Sequence, residues 1–489
     1  MTDQLISQPA RLFPSAPRAA PPDGSSVGEL VRWYRRVKGL TQVEVARLLS
    51  TSQSRLSKIE SGTYVVRDVH DLRFIADRLG ISPELLGVVT SRDSDNEPNA
   101  DAVSVAPGPV RDSQREWLRG RRAFAENRIL LSELAAGLYP DMTRVVGTSV
   151  LSRGEWMLNG PTPLDQVQLR WLTEVPMPSL SGSSGLTDHV RPLSQAGGRY
   201  SSYSRTLRDL SRPKLLDNRI CYRLIDAHWT HGSGRLDFGY VNYFDVIDVC
   251  EAVGHEYAAA WLSAGKRTPR IGALPLRSAI VDPFDLGARP MYTSINTLTI
   301  RKGARGDHRF YLHNRDTRSV ASAGGTYGVI PAGCFQPSSV APGRQASDFS
   351  LWRNIQREFS EELLGNPEHD GQESGPIDYP GTEPFRTMDR LRGQGRLMVY
   401  AFGTVLDPLA LFAEQLTVAV LDADAFDELF GNMVVANDEG EILTTASGRP
   451  AAGIPFTETV RRQLREEPLS PIGRACFELA WQFRRELLG

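Results

Sequence analysis

The sequence predicts a multidomain chain: a small all-α bundle at the N-terminus, a mixed α/β middle region, and an α/β C-terminal part. Three observations carry this. Residues 27–89 are dense in helix start and stop signals. A polar stretch, SRDSDNEPNADAVSVAPGPVRD, follows, rich in Pro and acidic residues and poor in large apolar ones. From residue 269 strand-like runs alternate with helical patterns. The organisation expected is a disordered tail over 1–26, the bundle over 27–89, a linker over 90–112, a region of unassigned role over 113–268, and the C-terminal unit over 269–489.

At 489 residues the chain is too long for a single core. Hydrophobic residues make up 40%, enough for sizeable cores, and the net charge is −2, so attraction to nucleic acid must come from a local patch. Cys221, Cys250, Cys334 and Cys476 are scattered without metal-ligand spacing, which reads as reduced thiols in a reducing compartment. No apolar run is long enough for a membrane span, and the first residues lack a basic start with an apolar core. A cytoplasmic protein without a membrane partner is expected.

Within the bundle, Ser26 with Glu29 forms an S-x-x-E capping box before ELVRWYRRVK, and Gly39 stops that helix. Leu30, Tyr34 and Val37 recur at helical spacing and are expected to face a core. Thr41 with Glu44 opens QVEVARLL, Ser52 caps QSRLSKIE, and Gly62 ends it. Asp68 caps a helix in which Leu72, Ile75, Ala76 and Leu79 keep the 3.6 period, and Ser82–Pro83 begins a last short one.

Two short helices joined by a three- or four-residue turn have helix-turn-helix geometry. The second offers Ser52, Gln53, Ser54, Arg55, Ser57 and Lys58 away from the buried Leu56 and Ile59. Such donors suit base edges and phosphates in a major groove. Gln42, at the start of the preceding helix, is placed to hold a phosphate. Residues 28–87 carry ten Lys/Arg against seven Asp/Glu, a local +3. The bland alternative is a small bundle used for protein contact. TQVEVARLLSTSQSRLSKIESG resembles the XRE (phage-repressor) helix-turn-helix family, in its Thr-Gln opening, its Ser/Arg-rich second helix and its Ile-Glu-x-Gly close. The resemblance implies a five-helix bundle that binds double-stranded DNA at paired half-sites, as a homodimer.

A helical stretch over 113–139 carries Arg115, Arg119, Arg121 and Arg122, and reads as a solvated amphipathic helix, with a second DNA contact or a dimer contact as the alternative. NRICYRLIDAHW and GRLDFGYVNYF are strand-like, and Asp248 with Glu251 is expected to open the helix DVCEAVGHEYAAAWL. Further on, MYTSINTLTI, RFYLHN, GTYGVI, RLMVYAFGTV and LTVAVLDA read as strands, and LWRNIQREFSEELL and IGRACFELAWQFRREL as helices.

In REFSEE, Glu358, Glu361 and Glu362 stand at i, i+3 and i+4, so on an α-helix three carboxylates share one face. Three hard oxygen donors suit Mg²⁺ or Mn²⁺, and a plain solvated acidic face is the alternative. GRQASDFSLWRNIQREFSEELL resembles the Nudix box, which implies an α/β/α sandwich handling a nucleotide-type ligand. The resemblance makes Gly343 the opening glycine, Glu358, Glu361 and Glu362 the metal face, Glu358 a candidate for assisting a metal-bound water, and Arg357 the arginine that orients the face. Phe349, beside Asp348, stands where that family has a glutamate, and Leu364 where it has a glycine. These departures favour a sensor or a dimer platform over a hydrolase. An interaction domain with no small ligand, its carboxylates covered by Arg301 or Arg305, is a third possibility.

Overall fold

The computed structural model describes residues 26–49, 51–88, 108–213, 216–230, 232–315, 326–340, 342–367, 376–434, 440–442 and 453–489. The expected N-terminal tail, most of the expected linker and part of the polar loop NPEHDGQESGPIDYPGTE lie outside them.

The N-terminal module consists of four α-helices, α1 (Val27–Val37), α2 (Gln42–Leu48), α3 (Gln53–Glu60) and α4 (Val69–Leu79), then a 3₁₀ turn Pro83–Leu86. Both capping boxes form: Ser26 and Thr41 accept from the backbone of Glu29 and Glu44, whose carboxylates reach back to the cap amides at 2.8 Å. Ser52 caps α3 and Asp68 caps α4. Leu30, Val31, Val45, Leu56, Ile59 and Leu72 anchor the core. Val37 does not join it. At 41% exposure it faces outward on the last turn of α1, while Val31 is fully buried.

The rest of the chain is a body built on a curled nine-stranded sheet. The strands Thr293–Lys302 and Ala413–Asp422 run parallel at its centre, and Leu397–Leu406 pairs antiparallel to the latter. Side chains alternate between the faces, as the two-residue strand period requires. Leu298, Ile300, Val418 and Val420 pack toward Phe477 of the helix Pro471–Gln482. Ala419, Leu421 and Val399 pack on the other side with Ile355, Met388 and Phe426, which lie on three further helices. The sheet therefore lies between two helical layers.

Three results correct the expected organisation. The strands Leu151–Ser152 and Met157–Pro163 pair with Leu397–Leu406, so the sheet crosses the expected boundary at 268/269 and one core spans both sides. The helix Gly108–Glu126 begins inside the expected linker, and its Arg121 is no solvated residue, since it donates to the buried Glu251 at 2.6 Å. The helix expected to open at Asp248 runs Tyr243–Ser263, with Asn242 at its N-cap. Asp248 and Glu251 are not its cap: Asp248 accepts from the Ser204 amide at 2.5 Å, and Glu251 answers Arg121. This helix is apolar nearly all round, so no amphipathic stripe marks its start.

The module packs against the body. The Val69 amide donates to the Asn218 carbonyl at 2.8 Å, and Arg208 donates to Asp68 at 2.8 Å. Ile220, the first residue of the strand Ile220–Thr230, is buried in the module's core. At the other end of the contact, Gln345 donates to the Gly87 carbonyl at 3.3 Å. Gly87 has φ +74°, and a Cβ there would meet the Val340 carbonyl at 1.6 Å, so only glycine fits.

Candidate nucleic-acid interface and carboxylate helix

The interface follows from how α2 and α3 are started. Thr41 and Ser52 fix the entry of each helix, which sets their first residues side by side. Gln53 Nε2 donates to Gln42 Oε1 at 3.0 Å, and Gln42 Nε2 donates to Glu60 at 3.0 Å. Ser52, Gln53, Ser54, Arg55 and Lys58 are exposed, and Ser57 and Gln42 partly so. Leu56 and Ile59 are buried, leaving one polar face of α3 turned outward.

Four residues beyond those expected organise this face. Glu60, buried at the end of α3, receives Arg35 Nε at 2.5 Å and Nη2 at 2.8 Å, and Arg32 donates to its carbonyl. Burial pushes the Glu60 carboxyl up, but the hydrogen bonds from Arg35 and Gln42 outweigh it and hold it below the usual carboxylate range. Tyr64 is the fourth: its hydroxyl accepts from Arg55 Nη2 at 2.8 Å, and the guanidinium lies 4.8 Å from the ring centroid. Nothing local in the sequence signals these pairings, which join residues nine to 28 positions apart.

Residues 26–87 match the family model of a helix-turn-helix domain. The helix-turn-helix domain so defined fits DNA-binding regulation and spans the four helices and the 3₁₀ turn. No curated protein matches the chain. Among the described residues no helix is long and apolar enough to cross a membrane.

The second expected constellation takes a different shape from the one its spacing implies. The α-helix Leu351–Glu358 passes into a π-helical turn over Phe359–Leu363. That wider turn breaks the i, i+3, i+4 alignment. Glu362 is buried, with its carboxylate 3.3 Å from the Ala332 amide. Glu358 lies against Gly333, where a Cβ would come within 2.1 Å of its carboxylate. Among the described residues no three His, Cys, Asp or Glu side chains gather to hold a metal ion. Gly343 lies in a short helix, Pro342–Ser347; the glycine set against the carboxylate helix is Gly333, ten positions earlier.

Arg357 points into the loop that precedes the helix. It donates to Tyr379 Oη at 2.8 Å and to the Gln336 carbonyl at 2.6 Å, with Asp348 at 3.6 Å. Tyr379 Oη in turn donates to Asp348 at 2.8 Å. Burial works against the Arg357 charge, but Tyr379 and Asp348 outweigh it, so its pKa is raised. Asp348, the neighbour of Phe349, thus supplies the carboxylate partner of Arg357, while Phe349 joins an aromatic cluster with Tyr222 and Trp171 at 5.0 and 5.4 Å. Arg301 pairs with Asp427 at 2.7 Å.

Proposed function

We propose that the chain is a sequence-specific transcriptional regulator of the XRE type. α3 enters the major groove of double-stranded DNA, with Gln53, Ser54, Arg55, Ser57 and Lys58 toward base edges and phosphates, and Ser52 and Gln42 at its phosphate-facing end. The observation that carries the reading is the exposed donor face of α3 inside a matched helix-turn-helix domain. One such domain per chain, and paired half-sites in the resembled family, favour a homodimer. Arg55→Ala is expected to weaken specific binding by roughly 1–3 kcal/mol and relax selectivity at one base position. Unchanged affinity and selectivity across a randomised-site selection would remove Arg55 from readout.

For the body, the reading is a Nudix-like unit that senses a nucleotide-type ligand or serves as a dimer platform. Glu362 and Glu358 lie against the consecutive residues Ala332 and Gly333, but among the described residues no third such side chain completes a group that could hold Mg²⁺ or Mn²⁺, and no step is assigned to either ion. Support for a sensing role comes from connectivity. The segment 336–348 is bound to Arg357 through Gln336 and Asp348 and to the module through Gln345, so it touches both. A ligand would act only by favouring one arrangement of that joint. Nucleoside diphosphate compounds, tested with and without Mn²⁺, are expected to raise the melting temperature without being cleaved. Cleavage products would make the body a hydrolase, and no shift with any of them would leave it a scaffold.

A further inference from the structure

One of the body segments that touch the module is basic. Tyr203–Thr206 is α-helical, Leu207–Ser211 forms a π-turn, and Arg212 follows at φ 49°. Its described residues through Arg219 carry Arg205, Arg208, Arg212 and Arg219 against Asp209 and Asp217, a surplus of two charges in a chain of net charge −2. The segment lies at the start of α4, immediately after the loop that leaves α3. Arg208 binds Asp68 there, and Arg208 and Arg55 of α3 both bear on the carboxyl of Asp71. An unneutralised carboxylate so close to a DNA-reading helix would repel phosphate, and Arg208 removes that repulsion from Asp68. Arg205 and Arg212 are exposed, and their hydrogen bonds stay within the segment, to Asp209 Oδ2 at 3.0 Å and the Asp209 carbonyl at 3.1 Å.

We infer that this segment is a second DNA contact, in which Arg205 and Arg212 hold backbone phosphates beside the site read by α3. The inference rests on the DNA-binding reading of the module and extends the interface to a part of the chain outside the matched domain. It commits to duplex DNA as partner, because the segment's surplus of arginines is joined through Arg208 to a module that itself carries a net +3. Phosphate contacts carry no sequence information, so removing them weakens binding to every duplex alike and lowers the salt dependence.

The test uses the full chain carrying both Arg205→Gln and Arg212→Gln, bound to a random-sequence DNA duplex across a salt series and followed by fluorescence anisotropy. The expected result is a plot of log K against log salt less steep by about 0.9 for each phosphate no longer neutralised, with an unchanged melting temperature. Arg212→Glu alone is expected to weaken binding further at low salt than Arg212→Gln does. Wild-type binding with an ordinary salt slope that neither variant alters overturns this inference and leaves the module's role intact. A wild-type chain that binds no duplex at any salt concentration overturns the DNA-binding reading, and the inference with it.

Discussion

Apart from the buried Glu60 and its arginines, the module and the body satisfy their polar groups over different distances. In the module each of α1 to α4 starts on a side chain that caps an amide two or three residues ahead. In the body, buried charges find partners far along the chain. Arg121 meets Glu251, Arg128 reaches Asp407 at 3.2 Å, and fully buried Arg277 donates to the Pro408 carbonyl at 2.9 Å. Local caps contribute separately and modestly, whereas a buried charge removed from its network leaves its partners unpaired in a low-dielectric interior. The body is therefore expected to be the more brittle region under substitution, and the module the more tolerant.

The sharpest way to break that comparison is Glu251→Ala. It removes the carboxylate 2.6 Å from buried Arg121 and leaves Arg128 with Asp407 alone, and is expected to cost about 3–5 kcal/mol in chemical denaturation. A loss no larger than that of a cap residue would erase the distinction. Acid provides the second test. His255, stacked 5.0 Å from Trp117 and hydrogen-bonded to Tyr203 at 3.0 Å, has its pKa pushed down to about 3 by burial and by Arg121. The unfolded chain takes up that proton near its ordinary value of 6.5, so the stabilisation is present above 6.5 and is lost as pH falls toward 3. Between roughly pH 7 and pH 5 this one group is expected to remove about 2 kcal/mol, and His255→Phe should flatten the stability curve by that amount. An equally steep curve in the variant would assign the acid sensitivity to other groups. The smallest effect belongs to the module: Thr41→Ala, which removes a capping box, is expected to cost about 1 kcal/mol. A loss as large as that of Glu251→Ala would mean that caps and buried charges do not differ in kind.

The same contrast governs what the sequence discloses. The starts of α1 to α4 are legible because the information lies within a few residues, and the period of Leu72, Ile75 and Leu79 marks a buried face. Val37, exposed on the last turn of α1, departs from its pattern. The body's long strands are legible from their β-branched runs, but the short strands at 143–144 and 151–152 exist because a sheet edge is there to pair with. Asp248 and Glu251 read as a helix start since carboxylates at that spacing usually cap, and nothing local discloses Ser204 or Arg121 as their partners. At the carboxylate helix the glutamates are visible, but the π-turn that follows Glu358 is not. The spacing that pointed to Gly343 counts residues along a loop whose path the spacing cannot know, and Gly333 occupies the place against the helix.

Ile220 belongs to the body by chain connectivity and to the module by burial. Its side chain cannot leave the module's core without opening an apolar gap there, and the strand it begins also pairs along Ser233–Asn242. Local opening of the module and fraying of that strand are therefore expected to be a single event. Amide exchange should report one shared opening free energy for α4 and the first residues of the strand, not two independent ones. A fragment cut after residue 88 would lose that shared stability along with Ile220.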